Sequence, residues 1–185
     1  MIEPRPLTPD VELRIATLAD APALADAQTR SREHLRPWEP VRDERWFTVV
    51  GQAERMTYQL ERYKNGQVVP WVLAASDRIV GQITLSDLVP GPFRSAALGY
   101  WLAADALGQG LATRAVEAVA AIADTELKLH RIEASTLTGN KASQRVLDRT
   151  GFTQIGMAPT YLHINGHWQD CNLYQRILNT RAPGA

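Results

Sequence analysis

The sequence is short of almost everything that would commit it to a specialised setting. One cysteine, Cys171, stands alone in 185 residues, which excludes an internal disulfide. His163 and His167 have ligand-like spacing, but no cysteine pair or third histidine accompanies them, so no metal is expected. Net charge is absent: 20 Lys and Arg balance 20 Asp and Glu, removing the electrostatic case for nucleic acid or an anionic membrane as partner. No apolar run approaches the length that spans a bilayer. The start, MIEPRPLTPDVEL, lacks the basic region and apolar run of a signal peptide. Internal repeats and low-complexity tracts are missing too. The expectation is a metal-free, cytoplasmic single domain over residues 1–185, with flexible ends at about 1–10 and 181–185.

What is present is a regular alternation of strand and helix signals. Val11 to Thr17 alternates as a strand, and Asp20 to Arg30 carries an alanine- and leucine-rich stripe at helical spacing. Ser31 to Trp46, with two prolines and two tryptophans, reads as one or two short helices and a turn, and Gln52 to Asn65 as a further helix closed by Asn65-Gly66. Val68 to Ala75 and Arg78 to Leu88 form a strand pair around Ser76-Asp77, and Arg94 to Leu102 is another strand. A long helix then reaches about Leu127, His130 to Leu137 is a strand, and Asn140 to Thr150 is a helix stopped by Gly151. Phe152 to Ile177 makes two strands joined at Asn165-Gly166, a strong hairpin signal. This order predicts an α/β (α+β) domain with about seven strands in a mixed, mostly antiparallel sheet flanked by helices.

The chemistry concentrates at Tyr100 to Thr113, YWLAADALGQGLAT. There a strand delivers the chain to Gly108, Gly110 and Ala112 at the opening of the long helix. Small residues admit a phosphate close to the backbone. The first helical amides lack intrahelical acceptors, and the helix end carries partial positive charge. Two common pyrophosphate motifs do not fit. A nucleotide P-loop needs Lys and then Ser or Thr after its last glycine, where this chain has Leu111 and Ala112. A dinucleotide fingerprint needs G-x-G-x-x-G early in a doubly wound unit.

That loop, the strand HRIEAST, the run Asn140-Lys141-Ala142-Ser143 and Gly151-Phe152 together resemble the GNAT acetyltransferases. His34 to Glu44 (HLRPWEPVRDE) and Tyr161 to Asp170 (YLHINGHWQD) narrow the resemblance to the RimJ/RimL type, above all ribosomal-protein-alanine N-acetyltransferases. The resemblance implies the GNAT fold, with a splayed strand pair at the cofactor cleft, and acetyl-CoA as cofactor. It implies contacts to coenzyme A from Trp101, Leu102, Leu107, Gly108, Gln109, Gly110, Leu111, Ala112, Thr113, Asn140 and Ser143. Ser143 is the expected proton donor to the departing thiolate, and Glu133 a candidate base. Trp38, Glu39, Tyr161 and His163 are the expected acceptor-binding residues, with Trp46 and Trp168 as further aromatics for a peptide cleft. For Asn140 the alternative role is helix capping, and for Glu39 a salt bridge to Arg36 or Arg42.

Two departures from the family pattern matter. Leu107 stands where a Gln or Arg is usual, leaving phosphate binding to backbone amides. Ala97 stands where many relatives carry a glutamate base, two residues before Gly99-Tyr100. At about pH 7.5, deprotonating an α-amine with a pKa near about 7.8 costs about 0.4 kcal/mol, against about 4 kcal/mol for a lysine side chain. An enzyme without a dedicated carboxylate is therefore less handicapped with an α-amine. The implied reaction is acetyl transfer to the N-terminal amine of a protein such as a ribosomal protein, by a monomer or homodimer. Small-molecule acetylation and an inactive acyl-CoA-binding module remain as alternatives.

Overall fold

Residues 68–75, VVPWVLAA, are apolar along their whole length rather than alternating, the pattern of a strand covered on both faces. In the computed structural model, which describes residues 2–76 and 78–183, this segment is β3 (Val68–Ala75), inside an eight-stranded sheet. The other strands are β1 (Arg5–Thr8), β2 (Val11–Ile15), β4 (Arg78–Val89), β5 (Ser95–Leu102), β6 (Arg131–Leu137), β7 (Thr153–Ile164) and β8 (His167–Ile177). Their spatial order is β1-β2-β3-β4-β5-β6-β8-β7. Every neighbouring pair is antiparallel except β5 and β6.

The helices are α1 (Ala21–Arg30), α2 (Arg32–Leu35), α3 (Val49–Lys64), α4 (Leu111–Thr125) and α5 (Lys141–Arg149). They cover both faces. Leu111, Val116, Val119 and Ile122 of α4 join Leu13, Trp71, Leu73, Ile83, Leu85 and Ile132 in the main core. Leu24 of α1 and Met56 of α3 join Val72 and Ile79 on the other side. Trp71 is 1% exposed and Ile83 wholly buried. Full burial of side chains of this size contributes about 1.5–3 kcal/mol each.

The structure corrects the sequence reading in three places. There are eight strands, not about seven, because Arg5–Thr8 pairs with β2 (Arg5 opposite Leu13, Pro6 opposite Glu12) instead of forming a flexible end. Proline there reads as a strand breaker, yet at a sheet edge it forfeits no ladder bond. Helix α3 starts at Val49 rather than Gln52, because the Thr48 hydroxyl caps it by accepting from the Gly51 N–H at 3.1 Å. At the other end, the Arg181 guanidinium donates to the Asp124 backbone oxygen at 2.8 Å, and Arg94 to the Ala182 oxygen at 3.3 Å. The chain is thus tied down through at least Ala182. Asp77 of the β3–β4 turn and residues 184–185 of the expected tail lie outside the described residues. Among the described residues no helix is long and apolar enough to cross a membrane.

Candidate active site

The site begins with an interruption in the sheet. β5 pairs with β4 along its length, as far as Leu102 opposite Gly81. With β6 it pairs only from Ser95–Arg131 to Leu98–Ala134, after which the two strands part while each keeps its other neighbour. Gly99 to Leu102 therefore present a backbone edge with no strand beside it, able to take an extended ligand chain. Past β5 the loop is pinned. The Ala104 N–H donates to Ser31 Oγ at 3.1 Å, and the Asp105 carboxylate accepts from Arg30 and Arg78, both at 2.7 Å.

The glycine turn follows. Gly108 (φ +75°) and Gly110 (φ +72°) occupy the left-handed region, and no atom lies within 4 Å of where a Cβ would stand on either. A non-glycine residue there costs about 1–2 kcal/mol, so the glycines are needed for the turn itself, and they leave open space above it. Gly110 caps α4 without a side-chain hydrogen bond, and the Arg114 N–H reaches back to the Gly110 oxygen at 3.1 Å. The amides of Leu111, Ala112 and Thr113 consequently face the space over the turn with no intrahelical acceptor. Leu107 is 46% exposed and offers no polar group, and the Gln109 amide leans towards the Asp105 oxygen at 3.4 Å. Open glycines, free helix amides and an unpaired strand edge fit a pyrophosphate followed by an extended amide-bearing arm.

Helix α5 supplies the next group. Asn140 Oδ1 accepts from the Ser143 N–H at 3.1 Å, so Asn140 is the helix cap and holds Ser143 in the first turn. The Ser143 hydroxyl lies 2.8 Å from the Tyr100 hydroxyl. Burial pushes the Tyr100 phenol up to about 12, the bond to Ser143 pulling weakly the other way. It stays protonated at any working pH and can donate to Ser143 Oγ. Tyr100 was not among the residues the sequence singled out for a role. Its signal, a tyrosine on the free stretch of β5, becomes legible only once the strands are seen to part.

Against the opposite side of β5 lies a cleft of about 530 Å³. Its floor is a patch of β4 and β5 where Gln82 lies opposite Trp101 and Thr84 opposite Gly99, with Ser86 beside them. Arg55, Tyr58, Gln59 and Arg62 of α3 form one wall, Glu39, Arg42 and Trp46 the other. Two guanidiniums flank Trp46, Arg42 at 3.6 Å and Arg55 at 5.0 Å from the ring centre. Burial pushes the Glu39 carboxyl up, while Arg42 and Arg55 pull it back. Its Oε2 lies 3.5 Å from Arg42 Nε, the salt bridge that was one of the two roles open for it. The Asn165 N–H donates to the Glu39 oxygen at 2.9 Å, bracing this wall against the β7–β8 hairpin. Tyr100 lines the cleft as well as touching Ser143, so it is the seam between the two halves.

Other expected residues stand elsewhere. Trp38 is in a short exposed turn, Tyr161 is 47% exposed on β7, and His163 packs edge-on against Trp168 with centroids 5.4 Å apart. None of the three lines the cleft; the tryptophans that do are Trp46 and Trp101. Glu133 lies next to Ala97 across the β5–β6 pair, one strand over from the place of the usual glutamate, but its carboxylate is 3.0 Å from the Arg131 guanidinium. His130 is structural, with Nδ1 2.6 Å from the Asn179 oxygen. Among the described residues no group of three His, Cys, Asp or Glu is placed to hold a metal.

A sheet opened at its one parallel pair, beside a glycine turn that starts a helix, is the architecture of an acyl transferase that holds its donor by backbone. The acetyltransferase (GNAT) domain family model matches residues 10–153, and the chain belongs to this family. It is an acetyl-CoA-dependent N-acetyltransferase. The chain is 35% identical over 160 residues (85% of this chain, 82% of the relative) to the [Ribosomal protein uS5]-alanine N-acetyltransferase of Escherichia coli K12. Among solved structures it is similar to the ribosomal-protein-S5-alanine acetyltransferase of Vibrio fischeri. That match has 30% identity and a TM-score of 0.93 over 98% of this chain and 100% of the other. It is also similar to Mycobacterium smegmatis RimJ in complex with CoA-disulfide, with 32% identity and a TM-score of 0.87 over 90% and 81%.

Proposed function

We propose that the chain acetylates the N-terminal α-amine of a protein, with an N-terminal alanine of a ribosomal protein as the favoured acceptor. The observation that carries this is the open side-chain-lined cleft beside Tyr100 and Ser143, together with Ala97 where a carboxylate base would stand. The similarity to relatives named for ribosomal-protein alanine supports the same acceptor.

Bound acetyl-CoA supplies the acetyl thioester that the amine attacks. The chain's own work is to position and to stabilise charge. The amides of Leu111–Thr113, with Gly108 and Gly110 beneath, hold the diphosphate, and the free edge of Gly99–Leu102 pairs with the extended arm, Trp101 and Leu102 lying along it. Ser143 would offer its O–H to the sulfur of bound acetyl-CoA, and Tyr100, 2.8 Å away, can donate to Ser143 Oγ and leave the serine proton free for that role. Full transfer from a phenol near about 12 to a thiolate whose acid is near about 8.5 is uphill by about 5 kcal/mol. The pair therefore acts by hydrogen bonding to the developing charge, and the amine's own proton balances it. Glu133, engaged by Arg131, leaves that proton to water. This suffices for an α-amine, given the small cost of deprotonating one.

Steady-state kinetics on a peptide beginning with alanine, its N-blocked copy containing lysine, and a panel of small amines test the reading. Turnover of the free α-amine peptide alone is expected; turnover confined to small amines overturns it. Mass spectrometry of intact ribosomal proteins from cells with and without the enzyme then names the acceptor.

A further inference from the structure

Charges in the acceptor cleft do not balance. Of its three arginines, Arg42 has Glu39 at 3.5 Å and Arg62 has Asp87 at 3.7 Å. Arg55 has no carboxylate within 4.0 Å among the described residues. It is nevertheless deeply placed: desolvation lowers its guanidinium to about 10, repulsion from Arg42 adding to the effect and Glu39 opposing it. At neutral pH it remains a cation, partly exposed to the cleft, and the one carboxylate that acts on it, Glu39, is shared with Arg42.

Gln82 makes the imbalance directional. It is 2% exposed, and its Oε1 accepts from Arg55 Nη2 at 2.8 Å. That contact fixes the amide so that Nε2 is the group left over, and Nε2 has no partner. An unpaired buried donor of this kind is destabilising. Gln82 and Arg55 both line the same cleft. Gln82 Oε1 thus holds in place a guanidinium that has no carboxylate in salt-bridge reach, and such a fork suits an oxyanion.

We propose that Arg55 and Gln82 form a carboxylate subsite in the acceptor cleft, which selects acceptors carrying an acidic side chain within the first few residues of the reacting amine. This rests on the protein N-terminus as acceptor and adds the chemistry of the neighbouring residue. Trp46 lies between the two cations, its ring centre 5.0 Å from the Arg55 guanidinium and 3.6 Å from that of Arg42. The subsite shares the cleft with Tyr100, which bonds to Ser143, so an acceptor anchored there presents its amine beside the reacting centre.

The test uses C-terminally amidated peptides beginning with alanine, with glutamate or glutamine at position 2, 3 or 4, and a neutral alanine dipeptide with a free terminal carboxylate. With the wild-type enzyme, a glutamate peptide should exceed its glutamine twin in kcat/KM at least tenfold at one position or more, mainly through KM. Arg55→Gln should bring that ratio close to one, and Arg55→Lys, which keeps the charge but loses the fork, should leave an intermediate ratio. Should Arg55→Gln not fold, the wild-type ratio and calorimetric binding of the two peptides to the CoA complex decide the matter. Equal kcat/KM for both members of every pair overturns the subsite. Preference for the free-carboxylate dipeptide alone overturns the side-chain assignment and moves the anion to a terminus. Turnover of small amines but of no peptide overturns the acceptor reading instead. In that event, failure of acidic amines to be preferred over their amides overturns the subsite too.

Discussion

The two halves of the proposed active site are built from different materials. The donor half is backbone: the unpaired edge of Gly99–Leu102, the left-handed Gly108 and Gly110, and the first amides of α4. The acceptor half is side chain: Glu39, Arg42, Trp46, Arg55 and Gln82 around an open cleft. Backbone can be varied in sequence only where conformation permits, whereas a wall of side chains can be rewritten residue by residue. Such a molecule keeps its donor and is free to change its acceptor.

Breaking the donor half should cost the most. Gly110→Val places a β-branched residue at φ +72° and fills the space above the turn. Affinity for CoA by calorimetry should fall by roughly 10- to 100-fold, while peptide binding in the cleft is retained. An unchanged CoA affinity would show that the turn does not carry the phosphates. The seam comes next. Tyr100→Phe removes the donor to Ser143 Oγ at 2.8 Å. Loss of a hydrogen bond serving a developing charge, about 1.5–3 kcal/mol, lowers kcat by about 10- to 100-fold with CoA binding intact. An unaltered kcat would separate Tyr100 from the chemistry.

The frame under both halves has a smaller, pH-signed signature. Asp20, 6% exposed, accepts two hydrogen bonds from Arg14 (2.9 and 2.6 Å) and one from the Thr17 N–H (2.7 Å). Burial alone would raise its carboxyl, but these bonds and the Arg14 charge outweigh it, and the carboxyl is held below its ordinary value of 3.8. The stability it contributes is thus fully present above about pH 4 and is lost as pH falls through the lowered value. Asp20→Asn should destabilise by about 1–3 kcal/mol at neutral pH, and chemical denaturation should show the difference shrinking in acid. A pH-independent difference would place the effect in packing instead. The least effect is expected from Asp105→Asn, which loosens the partly exposed clamp from Arg30 and Arg78. Exposed pairs contribute about 0–1 kcal/mol, so KM for acetyl-CoA should rise by less than about fivefold.

The same contrast explains what was legible in the sequence. Gly108 and Gly110 could be read because left-handed turns demand particular residue types at fixed offsets, and Asn140, singled out for a coenzyme A contact, has in the structure the capping role that was its alternative. The strand and helix order could be read from periodicity for the same reason. The acceptor wall left only part of its trace: Glu39 and Trp46 were named, but Arg55 and Gln82 come from a helix and a buried strand that meet them only after folding. Gln82 reads as an ordinary polar residue in an apolar strand, and Trp38 is as good a candidate as Trp46 until the turn between them is known. β1 was hidden by Pro6, which a sheet margin tolerates and a sheet centre does not.

The parting of β5 and β6 has a consequence for how the donor is measured. The strands are zipped as far as Leu98 and Ala134 and open beyond, so the gap between them narrows to a fixed apex. Whatever extended arm lies along the free edge can slide inward only until it meets that apex, and the apex adjoins the Ala97–Glu133 row. The fold thus contains a depth gauge. A single parallel register would decide how far such an arm could travel, and therefore at what depth its far end would come to rest, whatever acceptor waits in the cleft.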